Sequence, residues 1–228
     1  MDGKPILNIK SLKEQVYEYL REQMRKGEIL PGSVIDMEET SRKLGVSKTP
    51  LRDALLQLEM EDFVTILPRR KVVVNTLSET DIRNYYEIIG SLESMAILKA
   101  FDRIRESGTE ELQRLNDGMK EAIEANDFDL YYERNLAFHN TFLRHCGNDS
   151  LIKIVNNLKK RLYDFPRPKD FVKEWEETSI GEHQNLIDII RSGNRQEAAN
   201  HMRDVHWSFA VQRRFIHRYY ADIAEDSG

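Results

Sequence analysis

The chain has 228 residues, 40% of them hydrophobic and 32% charged, which is enough for two domains of ordinary size with buried cores. A net charge of −5 argues against nucleic-acid binding over the whole surface. No run approaches the roughly eighteen apolar residues of a membrane helix, and one cysteine, Cys146, excludes an internal disulfide.

The charge is unevenly spread. Residues 1–77 hold 13 Lys and Arg against 12 Asp and Glu, whereas the remainder holds 21 against 27. Only the first part can present a local basic surface, so different partners are expected for the two parts. Met1-Asp2-Gly3-Lys4-Pro5 leads into no apolar export segment, so a cytoplasmic location is expected.

From Ser11 the first helix is predicted on an apolar stripe of Leu12, Val16, Tyr19, Leu20 and Met24, ending near Gly27. Pro31-Gly32 is a turn. A short helix follows over Met37–Leu44, capped by Asp36. After the turn Gly45-Val46-Ser47, a helix capped by Ser47 runs from Lys48 to Glu61. Val64–Leu67 and Lys71–Asn75 are β-branched runs around Pro68-Arg69-Arg70, predicting a two-stranded hairpin with a basic tip. Helix, helix, turn, helix and hairpin in that order make a winged helix-turn-helix.

From Ser78 onward the pattern is helical throughout. Helices are predicted over 79–106, 109–125, 127–146, 149–163, 170–192 and 195–220, with Glu225–Gly228 frayed. The expected fold class is mostly α, with a winged helix-turn-helix domain at 1–77 and an all-helical bundle at 78–228.

In a helix-turn-helix, the start of the second helix reaches base edges in the major groove. Here that start is Ser47-Lys48-Thr49-Pro50. Lys48 and Arg52, four residues apart, share a face that can address phosphate or guanine. Thr49 can donate to a phosphate, and Arg69 and Arg70 suit a wing beside the backbone. Leu51, Leu55, Leu56 and Leu58 are expected on the buried side.

VYEYLREQMRKGEILPG, LGVSKTPLRDALLQLE and VTILPRRKVVV resemble the DNA-binding domain of the GntR family of bacterial regulators over residues 12–75. LAFHNTFLRHCGNDSL, GEHQNLIDIIRSGN and RQEAANHMRDVH resemble the FCD effector domain of its FadR-like subfamily, from Leu77 to about His206. The resemblance implies a homodimer on a near-palindromic operator, acting as a ligand-responsive repressor of metabolic genes. It also implies a small organic acid as effector and a divalent metal, Zn²⁺ by ligand type, held by Asn135, His139, His183 and His206.

Read physically, Asn135 and His139 are one helical turn apart, and His183 and His206 come from separate helices, as imidazole ligation of zinc allows. Asn135 stands where the family commonly has aspartate, and Ile89 where it often has an arginine; Arg134 or Arg161 is the candidate replacement for that effector anchor. The interval from His183 to His206 is one residue longer than the family spacing, which a longer turn at Gly193-Asn194-Arg195 would absorb; otherwise His201 takes the place of His206. The alternative reading is a metal-dependent hydrolase or lyase with an accessory winged helix. It lacks a general base, because Glu182, adjacent to His183, is expected to face elsewhere.

Overall fold

The computed structural model describes residues 10–68, 71–163 and 172–220. The chain divides into two compact units, Met1–Leu77 with Lys160–Pro168, and Ser78–Lys159 with Lys169–Gly228. The fold is mostly helical, with a small sheet in the first unit.

The first unit begins with α1 (Leu12–Arg25), whose Ser11 and Glu14 cap each other's backbone N–H groups in a capping box. Its buried stripe is Val16, Tyr17, Leu20 and Met24. Tyr17 joins the expected stripe, Tyr19 packs partly buried against the same core, and Leu12, the first residue of the helix, is 56% exposed. Next come β1 (Val34–Ile35), α2 (Met37–Leu44) and α3 (Lys48–Met60). Asp36 accepts from the Glu38 and Glu39 backbone N–H groups at the start of α2.

The turn into α3 depends on Gly45, whose φ of 66° is left-handed and costs least for glycine. Ser41 donates its hydroxyl to the Val46 carbonyl at 2.6 Å and fixes the same turn. Leu51, Ala54, Leu55 and Leu58 of α3 are fully buried against α1 and the sheet. Leu56 is 39% exposed, contrary to its expected burial, since it lies about 100° around the helix from Leu55.

Strands β2 (Val64–Leu67) and β3 (Lys71–Val74) pair antiparallel with Leu67 opposite Lys71. The sheet has a third strand absent from the sequence reading. β1 pairs with β3 through Val34↔Val73 and Ile35↔Val72, giving the order β1-β3-β2. Two residues show no alternation; only the buried Ile35 marks them. Arg69 and Arg70, the expected wing contacts, lie outside the described residues, as do Pro166, Pro168 and the segment Glu225–Gly228.

The second unit contains α4 (Glu79–Arg103), α5 (Thr109–Glu124), α6 (Phe128–Leu143), α7 (Asp149–Tyr163) as far as Lys159, α8 (Lys173–Ser192), α9 (Arg195–His201) and α10 (Phe209–Tyr219). Ser78 and Asp81 form a capping box at the start of α4. α4 is the central helix: it buries Ile82, Tyr86, Ile89, Ala96, Ile97 and Phe101, and packs on α6 and α9.

Two expected helices are interrupted. α4 ends at Arg103 and continues as a π turn, Ile104–Gly108, into α5. The predicted helix 195–220 breaks into α9, a π turn Met202–His206, and α10, whose start is capped by Ser208. A π turn accommodates one extra residue in a helix. The connection at Gly193-Asn194 is short, and the π turn ends on His206.

Candidate functional site

In the first unit, the exposed start of α3 carries Lys48, Thr49 and Arg52. Ser47 stands at the N-cap but its hydroxyl makes no cap hydrogen bond, contrary to its expected capping role. That hydroxyl is available to an external acceptor, as are the first N–H groups of the helix. Lys48 Nζ pairs with Glu38 Oε1 at 2.5 Å, and the ammonium holds the Glu38 carboxyl below its usual range. Arg52 has no polar partner among the described residues.

In the second unit the structure brings together three of the expected ligands. One nitrogen each of His139 on α6, His183 on α8 and His206 at the end of the π turn lies within 4.8 Å of the others. His139 and His183 are fully buried, with relative exposures of 0% and 1%. Burial disfavours their charged forms, pushing His139 down to about 4 and His183 well below the usual histidine range. Both imidazoles are therefore neutral at pH 7, as metal ligation requires.

Two carboxylates orient the outer rings. His139 Nδ1 donates to Glu93 Oε2 at 2.8 Å, and His206 Nδ1 donates to Glu182 Oε2 at 2.8 Å. A carboxylate only accepts, so in each ring the lone pair falls on Nε2. Phe138 stacks on His183 with centroids 4.1 Å apart and holds that ring in place.

Glu93 also accepts from Trp207 Nε1 at 2.7 Å and forms an ion pair with the buried Lys159 ammonium. Burial pushes the Glu93 carboxyl up, but His139 and the Lys159 ammonium outweigh it and hold Glu93 at about 2. Trp207 approaches α4 so closely that a Cβ on Gly90 would lie 2.8 Å from its Cβ.

His139 Nε2, both His183 nitrogens and Asn135 Oδ1 are buried without a hydrogen-bond partner. Each such group costs about 1–3 kcal/mol unless something satisfies it. Three converging imidazoles, two of them oriented by carboxylates, fit a divalent ion of the zinc type. Asn135, one turn before His139 on α6, can add an oxygen.

His201 is directed elsewhere: its Nε2 donates to the Glu182 carbonyl oxygen at 2.8 Å. Glu182 itself is a correction to the sequence reading, for it does reach the centre. α8 is flanked on more than one side, so consecutive residues 182 and 183 are both covered. Its two oxygens are taken by His206 and by Gln212 Nε2 at 2.7 Å.

The expected effector-binding arginines are not brought to this cluster. Arg134 lies across Gly118 and lines an open groove of about 820 Å³ between α5 and α6, with Glu121 3.6 Å away. Arg161 falls in the segment grouped with the first unit and faces Asp62 at 3.3 Å. Sequence reasoning missed Glu93, Lys159 and Trp207. The Leu-Glu pair at 92–93 was visible, but nothing in it announced the inward turn of the carboxylate.

Residues 12–74 match the gntR family of bacterial regulatory proteins, and residues 84–206 match the FCD domain. The chain is similar to the uncharacterised HTH-type transcriptional regulator YdhC of Bacillus subtilis. That match is 23% identical over 190 residues, covering 82% of this chain and 84% of YdhC. It is also 26% identical over 186 residues to the gluconate operon transcriptional repressor of Bacillus licheniformis, covering 77% and 74% of the two chains. Its fold resembles that of a GntR transcriptional regulator from Rhodococcus sp. RHA1, with a TM-score of 0.71, 16% identity, and 90% and 97% of the chains covered.

Proposed function

The chain belongs to the GntR family of bacterial regulatory proteins and carries an FCD domain, and from that premise we propose a metal-dependent, ligand-responsive repressor of metabolic genes. It is a DNA-binding transcription regulator, as its named relatives are. In the proposed reading, His139, His183 and His206 hold a divalent ion, Zn²⁺ by ligand type, and an organic-acid effector binds beside it.

One observation carries the metal reading. Three imidazole nitrogens lie within 4.8 Å of one another, while His139 Nε2 and both His183 nitrogens have no partner in the protein. Bound there, the ion supplies a Lewis-acidic point to which a carboxylate can bind. Glu93 and Glu182 fix the ring orientations, and the apolar surroundings of Phe138 and Phe142 exclude bulk water.

A homodimer would place each α3 in one half-site of a near-palindromic operator, acting in the cytoplasm. Control by the effector then requires that it bind the DNA-competent and DNA-incompetent arrangements with different affinity. A relative named for the gluconate operon makes a sugar acid the first effector to try. In the alternative hydrolase reading, Glu182 would have to act as base, but both its oxygens are engaged in positioning His206 and Gln212.

The test is a fluorescence-anisotropy titration of duplexes from the chain's own upstream DNA, with and without Zn²⁺ and candidate acids. A salt-sensitive, sequence-preferring complex that a small acid weakens supports the reading. Equal binding to all duplexes, or no response to metal or acid, opposes it.

A further inference from the structure

Glu93 and Glu182 perform the same task on two of the histidines, but their remaining partners differ in charge. Glu182 Oε1 accepts from the neutral amide of Gln212 at 2.7 Å. Glu93 Oε1 faces the ammonium of Lys159, which is 3% exposed and 5.5 Å from the Trp207 ring centroid. Among the described residues of the second unit, Lys159 is the one buried lysine or arginine side chain.

An ammonium is expensive to bury, and nothing in the orientation of His139 requires one. Glu93 Oε2 already accepts from His139 Nδ1 and Trp207 Nε1. What the pair does accomplish is neutralisation. Without Lys159, Glu93 would be a fully buried carboxylate with only neutral donors around it. With a dication on the far side of the His139 ring, a second positive charge would act on that same carboxylate.

We propose that Lys159 stands in for the charge of the metal ion, neutralising Glu93 in the metal-free protein and competing with a bound dication for it. Lys159 therefore keeps the metal-free fold stable and loosens the hold on the metal. It sets the affinity of the centre without touching the ion. This rests on reading the three histidines as a metal centre.

The test compares Zn²⁺ affinity, measured by competition with a chromophoric chelator near neutral pH, and melting with and without Zn²⁺. Lys159→Met should bind Zn²⁺ at least about tenfold more tightly. It should melt lower than wild type without metal, and recover most of that loss when Zn²⁺ is bound. Glu93→Gln should shift affinity the other way, weakening it by about tenfold or more. Lys159→Arg should stay close to wild type because it keeps the charge.

A purely architectural lysine gives a different pattern, in which Lys159→Met melts lower by the same amount in both states and its affinity is unchanged or weaker. That result overturns the proposal. Should Lys159→Met not accumulate in folded form, Glu93→Gln and Lys159→Arg decide it; unchanged affinity in Glu93→Gln, or weakened affinity in Lys159→Arg, counts against it. If the wild-type chain takes up no Zn²⁺ at all, the metal reading itself fails.

Discussion

His206 Nδ1 lies 2.8 Å from Glu182 Oε2, so α8 provides both a candidate ligand, His183, and the carboxylate that orients a ligand from another helix. Adjacent residues thus serve two different rings. Removing an orienting carboxylate of this kind lowers metal affinity by about 10- to 100-fold. Glu182→Gln is expected to show that loss in a Zn²⁺ competition titration while keeping its far-UV circular dichroism. Unchanged affinity would mean that the Glu182–His206 contact has no part in ligation.

Much of this arrangement was legible in the sequence. The three histidines stand out through the motifs around them, and the winged helix through its order of elements and the caps Ser11 and Asp36. The rest depends on tertiary packing. Glu93 sits on a helix whose hydrophobic periodicity is weak because several elements cover it, so no polar face marks the carboxylate as inward. The π turn that ends on His206 leaves a helical pattern intact on both sides, so the periodicity does not mark it. Strand β1 is too short to alternate.

On α3, the proposed DNA-reading helix, Lys48 and Arg52 differ in what they must give up. Arg52→Ala should cost about 1–3 kcal/mol on the preferred duplex and relax its specificity, whereas Lys48→Ala should weaken all duplexes alike and reduce the salt slope by about one. Lys48 is paired with Glu38 in the free protein. Glu38→Gln releases it, and binding should strengthen by about two- to fivefold, the scale of an exposed pair. Anisotropy titrations at several salt concentrations check all three variants.

Gly90 is where α4 meets the π turn, with space for a hydrogen and no more. Gly90→Ala places a Cβ 2.8 Å from the Trp207 Cβ and forces these elements apart. Overpacking of this type costs about 1–3 kcal/mol. The melting temperature should fall, and Zn²⁺ affinity with it, since Trp207 Nε1 would move off Glu93. A variant that melts lower but binds Zn²⁺ normally would separate Trp207 from the centre.

Tyr17 gives the first unit an alkaline limit. Its burial, reinforced by the hydrogen bond it donates to Glu61, raises the phenol to about 12 from its usual value of 10. The folded state prefers the neutral phenol, so this contribution is complete below pH 10 and is lost as the pH rises toward 12. Denaturant melts followed from pH 8 to 12 should show a fall across that window that is reduced in Tyr17→Phe. An identical fall in both proteins would assign it to other groups.

His139, His183 and His206 form the proposed metal centre on which the metal-dependent regulator reading rests. Calorimetric titration of the metal-free chain with Zn²⁺, paired with melting of the product, tests it most directly. One equivalent should bind per chain and raise the melting temperature, and His139→Ala should lose both effects. Equal uptake and an equal melting shift in wild type and His139→Ala would contradict it.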